Sequence, residues 1–70
     1  MLIEISNPRL LQDLLDFLRR AECVAEQTGR NRLEVYVPRA PTEEAGRREV
    51  ELYLATWRAR HPGVGTDLID

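Results

Sequence analysis

Cys23 is the only cysteine in this chain of 70 residues. No disulfide can form within it, so the staple on which many small domains depend is missing. A structural zinc site is equally out of reach, because one Cys and one His cannot supply four soft ligands. The fold must therefore rest on its apolar core. Surface scaling gives roughly 4,500 Å² folded against about 11,700 Å² extended for a chain of this length. With about 60% of the buried area apolar, burial contributes about 105 kcal/mol at ~25 cal/mol/Å². Ordering every residue costs about 105 kcal/mol at ~1.5 each. The two terms cancel, and a subunit interface is the remaining way to tip the balance. The expectation is a homodimer.

The N-terminal "MLIEISNPRL" has no basic start, no long apolar run and an acid at Glu4, which is not the pattern of a secretory signal. No stretch reaches the length of a membrane span, so a cytoplasmic protein without membrane contact is expected. Every basic residue is Arg, and the net charge is −2. That balance gives no general attraction to nucleic acid.

Residues 1–70 read as one domain. Met1, Ile3 and Ile5 alternate with Leu2, Glu4 and Ser6, the period of a strand. Asn7 then offers a cap and Pro8 a first helical position. From Pro8 to Glu22 an apolar stripe of Leu10, Leu11, Leu14, Leu15, Phe17, Leu18 and Ala21 opposes Asp13, Asp16, Arg19 and Arg20, which predicts an amphipathic helix. "CVAEQ" and "RLEVYVP" flank "TGRN", where Gly29 and Asn31 tolerate the positive φ of a tight turn. This is a hairpin pattern that ends at Pro38.

Thr42 is the expected cap of a second helix, with Glu43 and Glu44 at the positive end of its dipole. Gly46, Val50, Tyr53, Leu54, Trp57 and His61 share one face of it. A weaker strip of Ala45, Leu52, Ala55 and Ala59 lies almost opposite, and Pro62 with Gly63 ends the helix. The tail at 64–69 is expected to form a last edge strand.

The element order is strand, helix, strand, strand, helix, strand. Right-handed crossovers turn this into an α+β domain of ferredoxin-like βαββαβ type. Such a domain is a four-stranded antiparallel sheet with two helices on one face and the first and third strands central. The arrangement hosts many unrelated functions and identifies none. The expected core is Ile3, Ile5, Leu10, Leu14, Leu18, Leu33, Val35, Val37, Val50, Leu54 and Trp57.

"TWRARHPGV" gathers the only Trp and the only His with two Arg. Trp57 falls on the core stripe. Arg58, Arg60 and His61 fall in the last helical turn, where cations offset the dipole. No motif supplies His61 with the partner a general base needs. Cys23 follows a helix C-terminus, which disfavours a thiolate, so a buried apolar role is expected. No catalytic constellation, cofactor motif or metal set emerges.

Two surfaces stand out. The topology brings the loop at 6–8, the hairpin tip at 29–31 and the end of the second helix to one edge. That edge collects Arg9, Arg30, Arg58, Arg60 and His61 with the amides that start the first helix, an arrangement suited to an anionic small molecule. The opposite edge carries Glu22, Glu43, Glu44 and Asp70. The sheet face away from the helices presents Leu2, Glu4, Arg32, Glu34 and Tyr36. One aromatic among acids makes a poor platform for nucleic acid. The same face suits self-association, with acid and Arg pairing across a two-fold axis. The strip of Ala45, Leu52, Ala55 and Ala59 is the competing interface. The expected function is a non-enzymatic, self-associating interaction or regulatory module, and the alternative is a binder of an anionic small molecule, or a small enzyme acting on one, at the Arg-rich edge.

Overall fold

In the computed structural model, which describes residues 1–69, strand β1 (Leu2–Ile5) leads through a 3-10 turn (Pro8–Leu10) into helix α1 (Leu11–Arg20). Strands β2 (Val24–Gly29) and β3 (Arg32–Tyr36) form the hairpin, followed by α2 (Glu43–Ala59) and β4 (Thr66–Leu68). The sheet is antiparallel throughout, in the order β2-β3-β1-β4, so β1 and β3 are central. The chain is a ferredoxin-like α+β domain.

Strand alternation sends Ile3, Ile5, Ala25, Leu33 and Val35 to the helix-covered face, all buried. Leu11, Leu14, Leu15 and Leu18 of α1 and Val50, Leu54 and Trp57 of α2 close over them. Helix starts are fixed locally. The Asn7 side chain accepts from the Arg9 amide at 3.1 Å, and Thr42 Oγ1 accepts from the Ala45 amide at 3.1 Å.

Four expectations need correction. The α-helical stretch begins at Leu11, not Pro8, because Pro8–Leu10 take the tighter 3-10 turn. The buried stripe consequently runs through Leu11 and Leu15, while Leu10 is only half-buried. Helix α1 also stops before Glu22, which adopts a left-handed φ of 68° and turns the chain toward β2. The last strand spans Thr66–Leu68 rather than 64–69, although the Ile69 amide still donates to Leu2 O at 3.0 Å.

The outer edge of β2 is not open. Ala25 stands opposite Val35, whose amide donates to Met1 O on the far side, so the Ala25 carbonyl points outward, away from β3. Arg19 of α1 reaches down to that carbonyl with Nε at 3.1 Å and Nη2 at 2.8 Å. A guanidinium on the outward carbonyl blocks the addition of another strand there.

Candidate functional site

The topology does bring together the elements of the Arg-rich edge. The Ile5 amide donates to Asn31 O at 2.9 Å, the Ser6 amide to Gly65 O at 2.9 Å, and the Gly65 amide to Ser6 Oγ at 2.8 Å. The side chains at this edge divide into two groups. Arg58 turns to β4 and donates from Nη1 to Thr66 Oγ1 at 2.8 Å. His61 stacks on Trp57, with centroids 4.0 Å apart and the planes inclined by 18°. Its Nδ1 lies 2.9 Å from Trp57 O, and a carbonyl can only accept, so this nitrogen carries a hydrogen. Its Nε2 lies 3.2 Å from Asp13 Oδ2, the same oxygen that accepts from the buried Trp57 indole at 2.8 Å. The Trp57–Asp13 hydrogen bond thus ties α1 to the end of α2, and His61, stacked on Trp57, adds an ion pair to the tie when Nε2 also carries a hydrogen. A histidine so engaged is a structural tie, and sequence separation hid Asp13 from a reading of the chain.

Arg9, Arg30 and Arg60 remain exposed and make no side-chain hydrogen bond or ion pair among the described residues. The amides meant to complete an anion site are occupied instead. Asn7 takes those of Arg9 and Leu10, and Pro8 O takes that of Leu11. What is left at this edge is three free guanidinium groups.

A second polar cluster, absent from the sequence reading, holds the other flank of α2. Arg39 Nη2 lies 2.5 Å from Glu49 Oε1 and 2.6 Å from the Tyr53 hydroxyl, which donates to Glu49 Oε1 at 2.5 Å. The Tyr53 hydrogen bond, helped by Arg39, holds the Glu49 carboxyl below its ordinary value against some desolvation. The same bond pushes the Tyr53 phenol up, with burial adding to it. Nearby Cys23 is buried, and that burial, followed by the charge of Glu49, pushes its thiol up. A thiol kept protonated and covered is no nucleophile.

The open sheet face is the larger feature. Tyr36 is 61% exposed, and Leu2 and Glu34 occupy directly opposite positions on β1 and β3. Arg32 Nε pairs with Glu4 Oε2 at 3.1 Å, and the N-terminal ammonium pairs with Glu34 Oε1 at 2.9 Å. All five residues named from the sequence lie on this face. Two apolar members were missed. Val24, opposite Tyr36 on β2, is 54% exposed, and Ile69, beside Leu2, is 41% exposed. The four apolar side chains occupy one end of the face. A cleft of about 350 Å³ adjoins it, lined by Met1, Tyr36, Val37, Ala40, Pro41 and Gly46 with Glu43 at its rim.

Cross-strand register adds an unusual charge pattern. Glu26 stands directly opposite Glu34, and Glu4 directly opposite Asp67. Like charges in such positions repel. The acidic edge expected from Glu22, Glu43 and Glu44 lies at the same end as the cleft, and Asp70 is outside the described residues. The strip of Ala45, Leu52, Ala55 and Ala59 is on the outside of α2, with Leu52 69% exposed.

Among the described residues no group of three or more His, Cys, Asp or Glu could hold a metal ion, and no helix is long and apolar enough to cross a membrane. No protein family, curated protein or solved structure gave a significant match to the chain.

Proposed function

We propose that the protein is a small, non-enzymatic interaction module of regulatory type that works in the cytoplasm, and that it docks and self-associates through its open sheet face. The observation that carries this reading is the grouping of Leu2, Val24, Tyr36 and Ile69 on the side of the sheet that no helix covers. Tyrosine is among the side chains that most often anchor a contact surface, and the aliphatic neighbours of Tyr36 exclude water around it. The near-cancellation of burial against ordering gives such a contact a stabilising role.

A two-fold axis at the end of the face that carries Leu2, Val24, Tyr36 and Ile69 sets these side chains of one copy against those of the other. Self-association is tested by sedimentation over a range of micromolar concentrations. The parent should shift from monomer to dimer, Tyr36→Glu should stay monomeric, and Leu52→Glu should behave as the parent. A parent that is monomeric throughout overturns the dimer. Loss of the dimer in Leu52→Glu instead moves it to the strip on α2.

Arg9, Arg30 and Arg60, exposed and without partners at one edge, favour a second reading as a binder of an anionic small molecule. Phosphate should then raise the melting temperature in a saturable way, as binding to the folded state requires. An Arg30→Gln/Arg60→Gln variant that responds to phosphate like the parent removes this reading.

A further inference from the structure

The open face is charged in a way that says which partner suits it. It carries Glu4, Glu26, Glu34 and Asp67, and register sets these four as two directly opposed carboxylate pairs. Among the described residues two cations answer them, the N-terminal ammonium at Glu34 and Arg32 at Glu4. Glu26 and Asp67 stay exposed with no cation against them among the described residues. Opposed like charges are a cost that a sheet ordinarily avoids. A cation arriving between the members of each pair removes that cost, and so gains more than it would from an isolated surface carboxylate.

The apolar side chains are interleaved with these acids. Ile69 and Leu2 continue across the sheet into Glu34 and Glu26, and Tyr36 with Val24 forms the next row. The cleft beyond Tyr36 extends the apolar surface toward Glu43. Arg19 on the Ala25 carbonyl obstructs strand addition at the β2 edge, and β4 offers only a short strand at the other, so the face is the broader surface for a partner. A second copy covers the apolar end but brings four more carboxylates with Arg32 and the ammonium to answer them, so it matches the face less well than a cationic partner does. Nucleic acid or an anionic membrane brings phosphates, which are of the wrong sign.

We infer that the partner of this face is a cationic segment of another protein in which Arg or Lys alternates with apolar residues, and that it displaces the second copy. Its cations lie between Glu26 and Glu34 and between Glu4 and Asp67, while its apolar side chains rest on Leu2, Val24, Tyr36 and Ile69 and enter the adjoining cleft. This rests on the reading of the open face as the contact surface and names what occupies it.

The test is fluorescence anisotropy of labelled ten-residue peptides with the full chain. An alternating Arg-Leu peptide should bind saturably at one per chain, an Arg-Ser peptide at least tenfold more weakly, and a Glu-Leu peptide not at all. Glu26→Gln/Asp67→Asn should weaken Arg-Leu binding at least tenfold. It should also melt no lower than the parent, because it removes repulsion rather than contacts. Asp16→Asn/Glu51→Gln makes the same change of net charge on the helices and should leave binding unchanged. Equal weakening by both double variants, or equal affinity for Arg-Leu and Arg-Ser, overturns the inference in favour of general attraction to an acidic protein. Sedimentation separates the two proposals. A monomer that binds the Arg-Leu peptide removes the self-dimer and supports the inference, whereas a dimer that ignores the peptide does the reverse.

Discussion

On the helix-covered side of the sheet, Ile3, Ile5, Leu33 and Val35 are at most 1% exposed. One residue along the same strands, on the other side, stand Leu2, Glu4, Arg32, Glu34 and Tyr36. The first set satisfies every local rule, with apolar residues at strand period under two amphipathic helices. The second, with Val24, Glu26, Asp67 and Ile69 beside it, breaks two, by exposing Val24, Tyr36 and Ile69 and by opposing carboxylates across strands. Chains that agree with their fold at all other levels tend to concentrate such conflicts where they bind something. With the open face as the proposed contact surface, stability and recognition fall to opposite faces of one thin layer. A substitution should therefore act on one property and spare the other.

Leu14 offers the strongest way to break that separation. It is fully buried beneath α1, and truncation to Ala leaves both lost transfer energy and a cavity. Leu14→Ala should lower the unfolding free energy by about 2–5 kcal/mol, read by urea denaturation. Tyr36→Glu, on the open side, should change it by less than about 0.5 kcal/mol at concentrations where the parent is monomeric, as surface substitutions do. A Leu14→Ala variant that melts with the parent would show that the helix-covered face is not what holds the molecule together.

The flank of α2 sharpens the comparison along the pH axis, since its charges, unlike those of the open face, are matched. Glu49 is held below its ordinary value by Tyr53 and Arg39, so it contributes stability at neutral pH that is lost as pH falls through its lowered folded value. Tyr53 is raised by the same bond, so its contribution is present below the ordinary phenol range and lost as pH rises through the raised value. Glu49→Gln removes the acid partner of both. Melting temperature against pH should then fall less steeply below the carboxylate range than in the parent. An unchanged acid limb would mean that this cluster is solvated and energetically idle.

Much of the covered face was legible in the sequence because it depends on period alone. The alternation from Met1 to Ser6 and the stripes of both helices need no knowledge of neighbours. Even there the 3-10 turn moved the buried stripe from Leu10 to Leu11, since Asn7 and Pro8 signal that a helix starts but not how tightly its first turn winds. The open face was legible only in part. Leu2, Glu4, Arg32, Glu34 and Tyr36 follow from alternation. The opposition of Glu26 to Glu34 depends on register, and an irregularity between Gln27 and Gly29 shifts the β2 pairing by one residue near the turn. Glu4 meets Asp67 only because a three-residue strand pairs with β1 from the far end of the chain. The tie of Asp13 to Trp57 and His61 joins side chains more than forty positions apart, and nothing local announces it.

The smallest expected effect makes the sharpest distinction between the faces. Glu26→Arg sets a guanidinium opposite Glu34 and turns a repulsive cross-strand pair into an attractive one, a change of about 0.2–1 kcal/mol in favour of folding. The gain should sit toward the low end, because the N-terminal ammonium already neutralises Glu34. A slight rise in melting temperature is expected. The same arginine fills the place proposed for the partner's cation and leaves Asp67 as the one unanswered acid of the face among the described residues, so Arg-Leu peptide binding should weaken by at least tenfold. Gain of stability with loss of binding cannot arise from damage to the fold, which moves both downward together. If Glu26→Arg melts below the parent, the opposed carboxylates carry no strain. If it binds the peptide as the parent does, the place between Glu26 and Glu34 is not where the cation goes.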